Sequence, residues 1–197
     1  MGYTAIFGGT FNPFHIGHYE MLSALNSDNS IDKILIMPDR IPPHKVCDYM
    51  ADDDTRIEMC RIIAEDFPKA EVSLIEFERR GRSYSYDTVL ELKKRYPEKD
   101  FVFVCGGDML IFFSKWYNYK ELMKLIPFIV FRRSDTDINE FNESVKKYTE
   151  MGMKITVKDE IISAVSSTEI RQNFLASKAL LPEKIYNYLL NRGEYVG

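Results

Sequence analysis

Short runs of β-branched and aromatic residues alternate along the chain with longer segments in which apolar residues recur every three or four positions. The short runs predict strands, and the longer spacing predicts amphipathic helices. The predicted strands are residues 4–8, 33–38, 72–78, 101–106, 128–133 and 154–159. The predicted helices are residues 18–26, 53–67, 86–96, 138–151, 167–177 and 182–192. Strands and helices thus alternate along most of the chain, which predicts an α/β fold with a parallel sheet covered by helices.

The order of these elements predicts a Rossmann-like architecture, an open, mostly parallel sheet with helices on both faces. The chain of 197 residues is 45% hydrophobic and 13% aromatic, which is enough apolar material for a substantial core. It contains no internal repeat, low-complexity tract or linker, so we expect a single domain over residues 1–197. Ligands of such sheets bind beyond the carboxyl ends of the strands, and candidate chemistry is therefore sought in the loops that follow them.

The charge balance excludes some partners. There are 26 Lys and Arg residues against 30 Asp and Glu, and the net charge of -4 offers no general attraction to nucleic acid or to anionic membranes. The basic stretch 77–83 is interpreted as a solvated turn. Cys47, Cys60 and Cys105 are widely spaced and form no metal-ligand pattern, so we expect reduced thiols. The chain starts directly on a predicted strand, and no apolar run reaches membrane-spanning length, which makes the cytoplasm the expected location.

The loop after the first predicted strand is the most informative segment. It reads FGGTFNPFHIGH over residues 7–18. Gly8 and Gly9 allow the backbone to approach a ligand closely, and His15 and His18 can project together at the start of the following helix. Imidazoles and backbone N–H groups at a helix start bind phosphate. The pair could instead be solvated or half of a metal site, but the only other histidine of the chain lies in a different loop.

A second candidate segment, AVSSTEIRQN, spans residues 164–173 and again leads into a helix. Ser166 with a glutamate three positions later is a capping box, which many helices have without binding any ligand. The hydroxyls of Ser167 and Thr168, with the guanidinium of Arg171 one turn on, also suit a polyphosphate chain. The two interpretations are compatible.

Together the two segments resemble known motifs. GTFNPFHIGH matches the GTFxPxHxGH signature of the nucleotidyltransferase superfamily, and SSTEIR resembles its SSTxIR motif, about 150 residues later in the correct order. Within that superfamily the chain resembles the bacterial nicotinate mononucleotide adenylyltransferases over essentially its whole length. The resemblance implies an enzyme of NAD biosynthesis that joins ATP to nicotinate mononucleotide and releases pyrophosphate. Asn12 stands where many members carry aspartate, and either side chain can accept from backbone N–H groups.

The same resemblance implies roles for individual residues. His18, His15 and Arg171 would be the catalytic groups, with His18 bonded to the α-phosphate of ATP and the other two holding the β- and γ-phosphates. The implied ATP-binding residues are Gly8, Gly9, Thr10, Phe11, His15, His18, Asp108, Ser167, Thr168 and Arg171.

The implied mononucleotide-binding residues are His44, Lys45, Thr88, Trp116 and Arg133. His44 and Lys45 belong to a loop, residues 37–45, that would otherwise be interpreted as surface. Thr88 would help to hold the nicotinate carboxylate, although its segment also fits a plain helix cap. Trp116 would stack on the pyridine ring, whereas a single tryptophan is more often a core residue.

Two further choices stay open at this level. Adjacent side chains of a strand point to opposite faces, so only one of Arg132 and Arg133 can face the phosphates, and we favour Arg133. The acceptor could also be nicotinamide mononucleotide or phosphopantetheine, or the chain could be a non-catalytic nucleotide-binding module. A tRNA-related enzyme is disfavoured because the chain is short and acidic.

The expected chemistry is direct in-line attack by the mononucleotide phosphate on the α-phosphorus of ATP, without a covalent intermediate. Mg²⁺ is the expected cofactor, held mainly by phosphate oxygens and water, because no carboxylate cluster for an all-protein site is evident. No metal-ligand residue is assigned. The expected partners are the two small substrates, and a homo-oligomer is compatible with the sequence.

Overall fold

The computed structural model describes residues 2–41, 49–79 and 81–196. Its sheet contains β1 (Tyr3–Gly9), β2 (Ile31–Pro38), β3 (Ala70–Val72), β4 (Phe101–Gly106), β5 (Phe128–Arg133) and β6 (Ile155–Ile162). The strands are ordered β3-β2-β1-β4-β5-β6, and each neighbouring pair is parallel. This order reverses direction between β1 and β4, the point at which open sheets of this kind leave a ligand crevice. The predicted Rossmann-like α/β fold is confirmed.

The helices are α1 (Ile16–Ser27), α2 (Asp53–Ala64), α3 (Ser85–Arg95), α4 (Gly107–Ile111), α5 (Tyr119–Leu125), α6 (Ile138–Glu150), α7 (Ser167–Gln172) and α8 (Glu183–Arg192). Short 3-10 segments cover Phe113–Lys115 and Phe174–Leu180. Asp52 and Asp137 cap α2 and α6 by accepting bonds from backbone N–H groups of the first turn. Among the described residues, no helix is long and apolar enough to cross a membrane.

The apolar core lies in two layers, one on each face of the sheet. Successive residues of a strand point to opposite faces, so Phe7 belongs to one layer and its neighbour Ile6 to the other. The layer that contains Phe7 is covered by apolar residues of α1, α2, α7 and α8. The layer that contains Ile6 is covered by α3, α4, α5 and α6. Helices therefore pack on both faces, as predicted.

The predicted strand over residues 72–78 is wrong for most of its length. Strand β3 covers only Ala70–Val72, and turns follow it. Its apolar residues have a different cause, because Ile75 is buried in the same core layer as Val89 of α3 while belonging to a turn. A short apolar run that is buried in a turn resembles one that is buried in a strand.

Helix boundaries also differ from the prediction. The predicted helix 167–177 breaks at Asn173, whose φ of -147° is not helical, and a 3-10 segment continues after it. Helices α4 and α5, between β4 and β5, are not predicted at all. Both are shorter than two and a half turns, and so short a segment carries too little of the helical period to be recognised.

Candidate active site

The loop between β1 and α1 forms the floor of the site. Phe11 adopts a left-handed conformation with φ 49°, and the following Asn12–Pro13 peptide bond is cis. A Cβ on Gly9 would lie 3.0 Å from the Phe11 ring, so glycine allows the tight return of the chain. A Cβ on Gly17 would lie 3.1 Å from the carbonyl oxygen of Ser163, which explains how the start of α1 approaches the end of β6 so closely.

The two histidines of this loop are stacked. Their ring centroids lie 3.7 Å apart with an interplanar angle of 20°. The backbone N–H of His15 donates to Nδ1 of His18 over 3.2 Å, and the rings of Phe11 and Phe14 each lie 5.1 Å from the His18 ring. Because Nδ1 accepts a hydrogen bond, the neutral His18 ring carries its proton on Nε2. The loop thus fixes both the orientation of this imidazole and the nitrogen that can donate.

Helix α7 is held directly against the first loop. The Arg171 guanidinium donates through Nη1 to the carbonyl oxygen of Asn12 over 2.7 Å. The hydroxyl of Ser167 donates to the carbonyl oxygen of Pro13 over 3.1 Å. Arg171 also donates to the Thr168 hydroxyl over 3.2 Å, which holds the side chain along the helix. Two segments that lie far apart in sequence are therefore joined by hydrogen bonds.

A cavity of about 750 Å³ lies beyond the carboxyl ends of β1 and β4. The ATP-binding residues predicted from the resemblance all line it: Gly8, Gly9, Thr10, Phe11, His15, His18, Asp108, Ser167, Thr168 and Arg171. Three of the predicted mononucleotide-binding residues, Thr88, Trp116 and Arg133, line the same cavity. His44 and Lys45 lie outside the described residues.

Helix α3 lies at the end of the cavity where the resemblance leads us to expect the acceptor mononucleotide, here called the acceptor end. Ser85, at its first position, lines the cavity with Tyr84, and no side chain caps this end of the helix. The first N–H groups of a helix have no acceptor within it and favour an anion. The hydroxyl of Thr88 is already engaged, because it donates to the buried carboxylate of Glu76 and accepts from Arg79. Thr88 therefore shapes this end rather than presenting an uncommitted donor.

Aromatic rings form one side of the acceptor end. Trp116 is half-buried, and its ring packs against Phe113 and Phe103 at centroid distances of 5.4 and 5.7 Å. Tyr84 and Tyr117 lie 4.6 Å apart and also line the cavity. These rings offer flat apolar surfaces of the kind on which a planar heterocycle stacks. Trp116 thus belongs both to the edge of the core and to the cavity.

Arg133, rather than Arg132, lines the cavity at the end of β5. Its guanidinium lies 3.7 Å from the carboxylate of Asp108 and 3.3 Å from that of Asp135. The two carboxylates hold the arginine at the mouth of the cavity and neutralise it in part. The alternation of strand side chains explains why its neighbour faces elsewhere.

One buried residue beneath the site carries no signal in the sequence. Arg56 of α2 is fully buried and donates to the carbonyl oxygens of Thr10 and Asp39 over 3.1 and 2.6 Å. It also pairs with the carboxylate of Asp53 at 2.5 Å. One guanidinium thus fixes the loop after β1 to the loop after β2. A single arginine on an amphipathic helix looks like a surface residue, so only the tertiary structure identifies this role.

The chain is similar to known proteins over most of its length. The model of the cytidylyltransferase-like family matches residues 6–173. A probable nicotinate-nucleotide adenylyltransferase of Listeria welshimeri is 36% identical over 93% of this chain and 92% of its own. The nicotinate-nucleotide adenylyltransferase of Bacillus subtilis is 36% identical over 96% of each chain.

Among solved structures, Plasmodium falciparum nicotinic acid mononucleotide adenylyltransferase complexed with NaAD superimposes with a TM-score of 0.80. The superposition covers 99% of this chain and 98% of the other, at 21% identity, so the likeness concerns the fold.

With the match of the family model, the fold and the joining of the first loop to α7 at the switch point of the sheet place the chain among the nucleotidyltransferases. By the match of the family model and the identity to its curated relatives, the chain belongs to the nicotinate-nucleotide adenylyltransferases of the cytidylyltransferase-like family.

Proposed function

We propose that the chain transfers the adenylyl group of ATP to nicotinate mononucleotide, giving nicotinate adenine dinucleotide and pyrophosphate in NAD biosynthesis. The observation that carries this proposal is the pair of hydrogen bonds by which Arg171 and Ser167 join the first loop around one cavity. We further propose that residues 1–197 act as a single nucleotidyltransferase domain.

The reaction needs no nucleophilic side chain. An oxygen of the mononucleotide phosphate attacks the α-phosphorus of ATP, and a new P–O bond forms as the bond from the α-phosphorus to the bridging oxygen breaks. Pyrophosphate leaves with that bonding pair. The protein contributes positioning and the stabilisation of developing negative charge.

The first loop and α7 would bind the triphosphate. His18 would donate from Nε2 to the α-phosphate, in the tautomer that the bond from the His15 backbone favours. The His15 ring and the Arg171 guanidinium would hold the β- and γ-phosphates, since both line the cavity beside His18. The Ser167 hydroxyl would join them by exchanging its bond to the Pro13 carbonyl for one to a phosphate oxygen. Arg171 donates through Nη1 to the Asn12 carbonyl, and this bond would fix the orientation in which the guanidinium approaches the phosphates.

ATP would enter as its Mg²⁺ complex. Among residues 2–41, 49–79 and 81–196, no group of three or more His, Cys, Asp or Glu side chains is arranged to hold a metal ion. The donors of the triphosphate end are imidazole, hydroxyl and guanidinium groups, which bind phosphate oxygens rather than a hard cation. The phosphates themselves and water would therefore hold the ion, which would neutralise charge on the leaving pyrophosphate.

The acceptor end supports the acid rather than the amide. The start of α3 lines the cavity, and N–H groups at the start of a helix of 11 residues favour a carboxylate. The Trp116 ring would stack on the pyridine, and Arg133 would hold the mononucleotide phosphate at the cavity mouth. Asp108 would accept a bond from a ribose hydroxyl. The resemblance also assigns His44 and Lys45 to the mononucleotide.

A direct assay tests the proposal. Purified protein is incubated with ATP, Mg²⁺ and either nicotinate or nicotinamide mononucleotide, and both the dinucleotide and pyrophosphate are measured. We expect dinucleotide and pyrophosphate in equal amounts, with the acid used at the higher kcat/KM. Equal use of both would contradict the role assigned to α3. Turnover with phosphopantetheine but with neither pyridine nucleotide would overturn the proposed acceptor.

A further inference from the structure

The C-terminal turn has an unusual backbone conformation. Helix α8 ends at Gly193, whose φ is 71°, and the N–H of Glu194 donates back to the carbonyl oxygen of Leu189 over 3.0 Å. This is the usual glycine termination of a helix. Tyr195 then also adopts a left-handed conformation, with φ 59°. A residue with a Cβ pays roughly 1–2 kcal/mol for that conformation, so it persists only where surrounding contacts hold it.

The contacts of Tyr195 lead to the first loop. Its hydroxyl donates to Oδ1 of Asn12 over 2.6 Å. Its ring lies 6.0 Å from Phe174 and 5.6 Å from Tyr49, the latter edge to face. Burial, the largest cause, raises the pKa of the Tyr195 hydroxyl well above its ordinary value. The hydroxyl therefore stays protonated, and able to donate, over the whole physiological range.

Asn12 is the residue through which this turn reaches the site. Its Oδ1 also accepts from the N–H of Ala51 over 3.0 Å, and its Nδ2 donates to the carbonyl oxygen of Tyr49 over 3.0 Å. Its own carbonyl oxygen accepts from Arg171 over 2.7 Å. The Asn12 side chain thus connects two distant segments, and its main chain orients the guanidinium that lines the cavity.

We propose that Tyr195 is a positioning residue for ATP: through its hydrogen bond to Asn12 it fixes the peptide that orients Arg171. The proposal rests on the role given to Arg171 under the proposed function. An amide side chain with two acceptor bonds and one donor bond cannot rotate without losing all three. The main chain on either side is then held, including the carbonyl that Arg171 uses. Without the Tyr195 hydroxyl, Asn12 keeps only its bonds to the segment before α2.

The chain offers a matched control. The hydroxyl of Tyr49 also belongs to this aromatic cluster, but it donates to the carboxylate of Glu194 over 2.7 Å and not to the first loop. Tyr195→Phe and Tyr49→Phe each remove one hydroxyl that bonds near the C-terminal turn. They differ in whether that hydroxyl holds Asn12.

Four quantities are measured for both variants: kcat and KM with ATP, the Kd of a non-hydrolysable ATP analogue by calorimetry, and the free energy of unfolding. Loss of one hydrogen bond typically changes an equilibrium by about fivefold. We expect Tyr195→Phe to raise the analogue Kd and lower kcat/KM for ATP by about that factor, while Tyr49→Phe changes each less than about twofold. Combined with Asn12→Ala, Tyr195→Phe should add almost nothing, because both remove the same connection.

A purely structural role for Tyr195 would give equal losses of stability in the two variants with unchanged ATP parameters, and that result overturns the proposal. The proposal would also be overturned if Tyr195→Phe weakened ATP-analogue binding by the same factor in the Asn12→Ala variant as in the wild-type protein. The calorimetric measurement needs no turnover. If the wild-type protein forms no dinucleotide, the proposed function fails, but the effect of Tyr195 on analogue binding can still be decided.

Discussion

The role of His18 can be tested with two variants, each of which keeps the hydrogen-bonding function of only one ring nitrogen. An asparagine side chain has an amide atom at the same bond distance from Cβ as Nδ1, so His18→Asn keeps an acceptor for the His15 N–H. A glutamine extends one bond further and places its amide nitrogen near the position of Nε2. His18→Gln therefore keeps a donor toward the cavity. Each variant thus keeps one hydrogen-bonding function of the imidazole and loses the other.

The structure sets the size of the expected effects. The bond to Nδ1 is 3.2 Å long and connects neutral groups, so its loss costs about 1 kcal/mol. A preorganised donor to charge that develops in the transition state is worth about 3–4 kcal/mol, or roughly a hundred- to a thousandfold in kcat. His18→Asn should lose that full factor, whereas His18→Gln should retain activity within about tenfold of wild type. Both variants lose the packing against Phe11 and Phe14. His18→Gln also loses the bond from the His15 N–H, so it should be less stable than His18→Asn by about 1 kcal/mol.

Steady-state kinetics with varied ATP at saturating nicotinate mononucleotide measure the effect, and urea unfolding measures the stability. The loss should appear in kcat much more than in KM, as for any contact that strengthens in the transition state. Equal activities of the Asn and Gln variants, or a loss of less than about fivefold in the Asn variant, would refute the assignment of Nε2 as the donor.

Three further predictions concern buried and paired groups. Replacing Arg56 by Met removes the guanidinium that joins the two loops, and we expect a loss of about 3 kcal/mol in the free energy of unfolding, measured with urea; a loss below about 1 kcal/mol would contradict this role. Thr88→Val leaves the Glu76 carboxylate without its hydroxyl donor and should cost about 1–3 kcal/mol, whereas Thr88→Ser should cost much less. Equal thermal unfolding of these two variants would show that the hydroxyl is unimportant. Burial alone would raise the pKa of Asp28, but hydrogen bonds, led by that from Lys158, outweigh it and lower the pKa to about 2 from 3.8. This stabilisation is complete above the pKa that Asp28 has in the unfolded chain, and it is lost as the pH falls through the pKa of the folded protein. Asp28→Asn should therefore lower the free energy of unfolding by about 1–2 kcal/mol at pH 6 and by almost nothing by about pH 2. A difference that persists at low pH would exclude the linkage.

The fold was largely predictable because each long element carries its own burial pattern. Strands such as β4, with five consecutive buried residues, and helices such as α6, with one apolar stripe, have the same pattern whether or not their neighbours are known. The segment 72–78 shows the limit of this reasoning. Its apolar residues lie in a partly buried turn, and the local pattern cannot distinguish a buried turn from a strand.

Some residues of the candidate site were predictable from the sequence and others were not. The residues of the first loop and of α7 were predicted from contiguous motifs, and contiguous motifs are visible in a sequence. Arg56, Glu76 and Tyr195 were not, because each acts through a residue far away along the chain. Their chemistry depends on what they contact after folding.

The sequence by itself therefore determined the α/β order of elements, the two segments that carry the motifs and the family resemblance, since all three depend on local spacing. Only the tertiary structure decided that the two segments share one cavity, that Arg133 rather than Arg132 faces it, and that the C-terminal turn reaches Asn12. The physical reason is that hydrogen bonds and burial depend on distance in space. A chain that folds into a parallel sheet brings distant residues together through its crossovers, and no local pattern records which of them will meet.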